Sequence, residues 1–125
     1  MVRKFEDLRI WQDGMDLVEE IFGVTSNFPK SEIYGLTNQI RRAVISVPSN
    51  IAEGCGKNTK KDFVRYLYNS LGSIKEVKCQ LIIARRLNFL DKDSGEKIID
   101  ESDRLAGMLM KFIKKVSSED SKYEA

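Results

Sequence analysis

The residues that could carry chemistry in this chain begin with a basic loop punctuated by glycines, Gly54-Cys55-Gly56-Lys57-Asn58-Thr59. A nucleoside-triphosphate loop needs the pattern G-x-x-x-x-G-K-[ST] between a strand and a helix. Here Asn58 follows the lysine, the glycine spacing differs, and the preceding segment has a helical pattern. We therefore reject a triphosphate site. The amides and lysines at the start of the next helix would still suit a single phosphate group. A solvated basic loop is the alternative.

The composition argues against an enzyme. The chain has no histidine, which removes the commonest general base and metal ligand, and with it every histidine-dependent triad or zinc site. Glu53 and Glu76 could be imagined as paired carboxylates, but no histidine or metal partner accompanies them. Cys55 could be an accessible thiol between two glycines, yet no base is evident beside it. We expect no catalytic residue, no metal site and no cofactor.

Positive charge is concentrated in the middle of the chain. Residues 1–29 carry 3 basic and 6 acidic side chains, residues 30–90 carry 11 and 4, and residues 91–125 carry 7 and 9, for a total of +2. Such a segment can bind a phosphate backbone, or it can pair with acidic helices beside it. The candidate nucleic-acid contacts are Arg41, Arg42, Lys57, Lys60, Lys61 and Arg65. Salt bridges between helices or subunits are the alternative role for these cations.

Four amphipathic segments must position these residues. Apolar side chains recur at intervals of three and four in each segment, and none alternates at period two. We predict helices over residues 6–27, 31–55, 60–87 and 94–116, followed by a frayed polar tail over 117–125. The short turns between them predict a single domain over 1–125. The predicted fold is all-α, an antiparallel up-and-down four-helix bundle.

Each predicted helix has a face that should be buried. In the first helix this face is Leu8, Trp11, Met15, Val18, Phe22 and Thr25. In the second it is Ile33, Leu36, Ile40, Ala43, Val44, Val47 and Ile51. In the third it is Phe63, Leu67, Ser70, Ile74, Val77, Leu81 and Ala84. In the fourth it is Ile98, Ser102, Leu105, Leu109, Phe112 and Val116. Ser31, Thr59 and Asp93 are the expected caps of the last three helices.

The second helix contains a proline. Pro48 has no N–H to bond the carbonyl of Val44, and its ring crowds that carbonyl. The helix either ends before the proline and restarts, or continues with a bend. Because the apolar face stays in phase through Ile51, we predict a continuous helix kinked at Pro48.

A polar row on the second helix predicts self-association. Its side chains are mostly short, so another backbone could approach closely, and Ile45 lies near this row, opposite the core face. The predicted contacts between subunits are Arg42, Ile45, Ser46, Ser49, Ala52, Glu53 and Tyr66. A solvated face with one exposed isoleucine is the alternative.

The start of the chain, MVRKFEDLRIWQD, has acids where a signal peptide needs an apolar run. No apolar run is long enough to span a membrane. We therefore expect a cytoplasmic protein without a membrane partner. In that compartment Cys55 and Cys79 should be reduced thiols, with a disulfide as the less favoured alternative.

Three stretches resemble a known family. They are FEDLRIWQDGMDLVEEIF, FPKSEIYGLTNQIRRAVISVPSNIAEGCGK and DFVRYLYNSLGSIKEVKCQL, within residues 5–90. In order and content they are similar to the 23S rRNA intervening-sequence proteins, and the central piece, Gly35 to Gly54, is long and specific. Asn69 and Ser70 depart from the small residues common there. Cys55 departs from the usual aromatic residue or serine.

The resemblance implies a left-handed four-helix bundle that assembles as a homopentamer in bacteria. Some members are encoded inside insertions of the large-subunit rRNA gene. Related accessory proteins of diversity-generating retroelements form basic pentameric barrels that bind nucleic acid and a reverse transcriptase. No catalytic residue is implied. A pentamer would repeat a weak basic patch five times, which raises avidity without new contacts.

The leading interpretation is a non-enzymatic homo-oligomer that binds RNA or DNA through its basic surface. Its affinity would fall steeply with salt. The alternative is a homo-oligomeric scaffold for a protein partner, without nucleic-acid binding. A reverse transcriptase-like protein is the partner that the resemblance implies.

Overall fold

Four α-helices carry most of residues 4–118, which are the residues that the computed structural model describes. The helices are α1 (Arg9–Thr25), α2 (Leu36–Cys55), α3 (Lys60–Arg86) and α4 (Lys92–Ser118). No residue in this range lies in a β-strand, which confirms the predicted all-helical class. No helix in the same range is long and apolar enough to cross a bilayer.

The helices form a ring in which each packs on the next and α4 packs on α1. Among the described residues, the diagonal pairs α1–α3 and α2–α4 make no close backbone approach. Contacts between α3 and α4 run in opposite order along the two helices. Lys60 Nζ donates to the carbonyl of Ser117 at 3.3 Å, and Lys78 Nζ lies 2.9 Å from Asp103 Oδ1.

The first two helices begin later than predicted. The predicted start near residue 6 instead falls in a separate 3-10 turn, Phe5–Asp7, whose Phe5 ring packs on Trp11 with centroids 5.2 Å apart. A second 3-10 turn, Lys30–Glu32, occupies the predicted start near residue 31. Ser31 therefore does not cap α2. Instead, Glu32 Oε1 accepts a hydrogen bond from the N–H of Leu36 at 3.2 Å.

The ends of α3 and α4 follow local hydrogen bonds. Thr59 caps α3 as predicted, because its Oγ1 accepts from the N–H of Asp62 at 3.1 Å. α4 begins at Lys92, before the predicted residue 94, because Asp91 Oδ2 accepts from the N–H of Ser94 at 3.0 Å. Residues 117 and 118, predicted to be frayed, are helical. The rest of that predicted tail, 119–125, lies outside the described residues, and the single-domain assignment stays a prediction.

The core confirms the predicted face of α3 in full, since all seven residues are buried. The buried face of α1 lies beside the predicted one. Its five apolar residues before Thr25 are half-buried, and the fully buried apolar side chains of α1 are Ile10, Leu17 and Ile21. Ile33 is 55% exposed because it precedes α2. In α4, Ile113 is buried in place of the predicted Phe112.

α2 is continuous through Pro48, as predicted, whereas the kink stays a prediction. The missing N–H of Pro48 leaves the carbonyl of Val44 without its helical donor. Side chains donate to three carbonyls nearby. These bonds are Ser46 Oγ to Ala43 O (2.7 Å), Asn50 Nδ2 to Ser46 O (2.8 Å), and Ser70 Oγ of α3 to Val47 O (2.8 Å). The segment around the proline is thus hydrogen-bonded to α3 as well as to itself.

Gly54 allows α2 and α3 to approach closely. A Cβ built on Gly54 would lie 2.9 Å from the Cβ of Tyr66 and 3.1 Å from Cδ1 of Phe63. These atoms belong to the helix and the core, so they cannot simply rotate away.

We expect Gly54→Ala to destabilise the fold by about 1–3 kcal/mol, because a methyl group would overpack this contact. Gly107→Ala is the matched control. Its Cβ would meet nothing within 4 Å, so it should stabilise α4 by up to about 1 kcal/mol. Urea unfolding followed by circular dichroism measures both changes. Equal stability of the two variants would contradict the close contact.

Two carboxyl groups meet between α1 and α4. Burial and the hydrogen-bonded neighbour Glu101 raise the pKa of Glu20 to about 7, with a further rise from Asp16 and an opposing effect from Lys97. The Oε2 atom of Glu20 is buried and has no donor among the described residues. A proton on one of the two glutamates would supply that donor.

We therefore expect stability to fall as pH rises from about 4.5 to about 7, because over that range the folded state holds a proton that the unfolded state releases. Glu20→Gln should remove this loss and be more stable than wild type at pH 8, by on the order of 1 kcal/mol after solvent screening. Unfolding at several pH values tests this. A parallel pH dependence in both proteins would contradict it, and exposed Asp100→Asn is the control.

Candidate nucleic-acid interface

The structure divides the six predicted nucleic-acid residues between two places. Arg41 and Arg42 lie in the first half of α2. The other four surround the turn between α2 and α3, a corner defined by residues 53–66. Because a helix rises 1.5 Å per residue, Arg42 is about 20 Å from the end of α2. The predicted residues therefore do not form one continuous patch.

An aromatic ring organises the α2–α3 corner. Lys57 Nζ lies 5.0 Å from the centroid of the Tyr66 ring, and Arg65 Cζ lies 4.6 Å from it. Both distances are within the range of cation–π attraction. Tyr66 itself is half-buried, and its Cβ lies at the close contact with Gly54. The corner thus holds two cations near one aromatic ring.

The carboxylates at this corner neutralise its cations only in part. Glu53 Oε2 is 3.9 Å from Lys57 Nζ, and Asp62 Oδ1 is 3.5 Å from Arg65 NH2. Pairs of this length on an exposed surface contribute little. Arg65 remains 58% exposed. Its charge stays available to a ligand.

Lys60 and Lys61 occupy the first turn of α3 but differ in surroundings. Lys60 Nζ donates to the carbonyl of Ser117, so it links α3 to the last turn of α4. Lys61 is exposed, and its side chain makes no hydrogen bond or ion pair within residues 4–118. Lys61 is the better placed of the two for a phosphate group.

Arg41 supports the fold. Its Nε donates to Thr25 Oγ1 at 2.8 Å, its NH2 donates to the carbonyl of Phe22 at 3.4 Å, and its guanidinium lies 4.6 Å from the centroid of the Phe22 ring. These contacts hold the end of α1 on α2. We therefore assign Arg41 a structural role and omit it from the proposed binding surface.

The predicted oligomer face of α2 is only partly free in the single chain. Arg42, Ile45, Ser49 and Glu53 are exposed, with Ile45 at 45%. Ala52 is half-buried. Ser46 instead turns toward α3, where its hydroxyl oxygen is hydrogen-bonded to that of Ser73. Nothing in the structure shows a second subunit, so these contacts stay a prediction.

The two thiols have different surroundings. Both cysteines are free; Cys55 is half-buried and Cys79 is exposed. Burial, with a smaller contribution from Glu6, raises the pKa of Cys55 to about 11. Cys55 is thus less accessible than its position between two glycines indicated. Among the described residues, no three carboxylates or thiols are grouped to hold a metal ion.

Two features of the surface were missed by the sequence patterns. The ring contact of Lys57 and Arg65 with Tyr66 depends on how α2 and α3 cross, which local spacing does not specify. The pair Glu20 and Glu101 likewise joins residues far apart in the chain. A carboxylate at a helix position beside the core stripe is the one sequence signal that could have identified Glu20.

The comparisons with known proteins agree with the fold. The family model described as 23S rRNA-intervening sequence protein matches residues 6–111, which confirms the resemblance. The crystal structure of a protein of unknown function from the S23 ribosomal protein family of Bacteroides thetaiotaomicron has a TM-score of 0.78. It is 20% identical and covers 84% of this chain and 98% of its own. At that identity the likeness shows the fold alone. No curated protein matches the chain.

We expect iodoacetamide at pH 8 to alkylate Cys79 before Cys55. A pKa of about 11 leaves about one thiolate in a thousand at Cys55 at that pH, and only the thiolate attacks. Mass spectrometry of the peptides gives both rates. Unfolding in urea is the control, because it should make the two rates similar. Faster modification of Cys55 in the folded protein would contradict its burial.

Proposed function

The chain belongs to the 23S rRNA-intervening sequence protein family, and from that premise we propose a non-enzymatic homo-oligomer that binds RNA or DNA. The binding surface is the α2–α3 corner, with Lys57, Lys61 and Arg65 as contacts. One observation carries this assignment: Lys57 and Arg65 both lie against the ring of Tyr66.

The arrangement suits a phosphate backbone for a physical reason. Two cations held near one ring lose less side-chain freedom on binding than two free surface side chains would. Lys61 adds a third exposed charge one turn before Arg65 on α3. Affinity should come from phosphate neutralisation and depend on salt, with little dependence on base sequence.

The assembly is proposed to contain five left-handed antiparallel bundles, with α2 kinked at Pro48. The opposite order of the contacts along α3 and α4 supports the antiparallel part. The exposed Ile45, between polar residues on the outer face of α2, supports self-association. Five copies would multiply a weak basic corner into a surface of high avidity.

A scaffold for a protein partner is the second candidate. The exposed Ile45 and Tyr68, at 45% and 51%, favour it, because each offers apolar surface to a partner protein. A reverse transcriptase-like protein is the partner class to try first. Its binding would vary little with salt.

We expect a labelled single-stranded oligonucleotide to bind the wild-type protein at about 50 mM salt and to weaken steeply by about 200 mM. Lys61→Ala and Arg65→Ala should each reduce the slope of log affinity against log salt by about 0.7, the value for one phosphate contact on a single strand. Fluorescence anisotropy measures these slopes.

Lys92→Ala is the matched control, because Lys92 is exposed at the first residue of α4, whereas the last turn of α4 is the part that contacts Lys60. Its slope should equal that of wild type. Tyr66→Leu should weaken binding without removing a charge, since it removes the ring that supports both cations. Absence of binding at low salt, or equal loss in Lys92→Ala, would exclude this function and leave the scaffold.

A further inference from the structure

The bundle is electrically asymmetric. α1 carries one basic and four acidic side chains, whereas α3 carries seven basic and two acidic. The two helices occupy opposite corners of the ring and make no close backbone approach within the described residues. Within residues 4–118, direct packing of α1 on α3 therefore does not neutralise this charge difference.

α3 has a second row of side chains that faces away from the core. Its members are all exposed and recur at intervals of three and four: Tyr68, Gly72, Lys75, Cys79, Ile83 and Arg86. Tyr68 and Ile83 are 51% and 41% exposed. This spacing is typical of a helix that packs lengthwise on another helix. The buried row of α3 already faces its own bundle, so the outer row has no partner helix among residues 4–118.

α1 has a matching outer row of opposite charge. Its members are also exposed at intervals of three and four: Gln12, Asp16, Glu19 and Gly23. The two acids lie at its centre. No side chain of the described residues forms an ion pair with either of them.

Each row contains a glycine that no close contact within the described residues requires. A Cβ built on Gly23 or on Gly72 would meet nothing within 4 Å. Glycine inside a helix is less favourable than alanine, and here no neighbour requires it. At either glycine, the absence of a side chain would let the backbone of a second helix come close.

We propose that the outer row of α3 packs against the outer row of α1 from a second copy. The inference rests on the homo-oligomer of the proposed function and adds a contact between subunits to the one predicted on the outer face of α2. Contact between two different surfaces can close into a ring. A contact of α3 with α3 would instead place Lys75 and Arg86 against like charges. Lys61 and Arg65 continue the outer row of α3 toward its first turn with the same spacing, so the basic corner borders this interface.

Charge reversal tests the pairing. One variant carries Asp16→Lys and Glu19→Lys, and another carries Lys75→Glu and Arg86→Glu. Each puts like charges at every contact, so we expect light scattering after gel filtration to show a shift toward the monomer mass. The chain with all four substitutions should recover the native mass. Lys111→Glu with Lys114→Glu, on exposed positions of α4, is the control and should assemble normally.

Cross-linking gives a second measurement that tolerates loss of stability. Gln12→Cys, Asp16→Cys and Glu19→Cys each add a thiol to the α1 row, and a short bismaleimide should join at least one of them to Cys79 of another copy. Peptide mass spectrometry identifies the joined pair. Glu96→Cys on α4 is the control and should give no such pair.

The outcomes separate the two proposals. A monomeric wild-type protein would overturn the homo-oligomer and this interface together. Native mass in both reversed variants, or no cross-link from any α1 position, would overturn the interface alone. Unchanged mass with loss of oligonucleotide binding in Lys75→Glu with Arg86→Glu would also overturn it, because the α3 row would then be a nucleic-acid surface.

Discussion

The contact between α2 and α3 is the constraint on which the candidate site depends. α2 stays helical through Pro48, which cannot donate a hydrogen bond, and α3 packs on the same segment. Ser70 donates across the contact to Val47, and Gly54 leaves room for Tyr66. Lys57 and Arg65 both lie near the ring of Tyr66. The proposed binding corner thus depends on how these two helices pack.

The two adjacent arginines show how helical geometry divides similar residues between roles. Successive positions on a helix are about 100° apart, so Arg41 faces α1 while Arg42 faces solvent. Arg41 is hydrogen-bonded to Thr25 and lies over the ring of Phe22, so it is not available to a ligand. The positive charge of the middle segment therefore overstates what a ligand can reach. The cations that a ligand can reach are those with a distant carboxylate partner, or with none among the described residues.

The fold was predictable wherever one apolar row dominated a helix. In α3 the row from Phe63 to Ala84 is the single inner row with unbroken spacing, and all of it is buried. In α1 two apolar rows lie side by side. Periodicity alone could not show whether the row of Trp11 or the row of Ile10 is the buried one. The cap of α2 was missed because the side chain of Glu32 reaches back over the 3-10 turn. The site was predictable in its residue types, but its grouping depends on contacts between helices.

The half-buried glutamates between α1 and α4 have a consequence for how the native state opens. α1 shares a larger contact with α2 than with α4, and the smaller contact contains the carboxyl pair. Proteins open locally at their least stable contacts, in units that follow supersecondary motifs. The native state should therefore open locally at the contact between α1 and α4, while the α2–α3 hairpin stays folded as a cooperative unit. Amide exchange would be slowest in that hairpin, which also carries the basic corner.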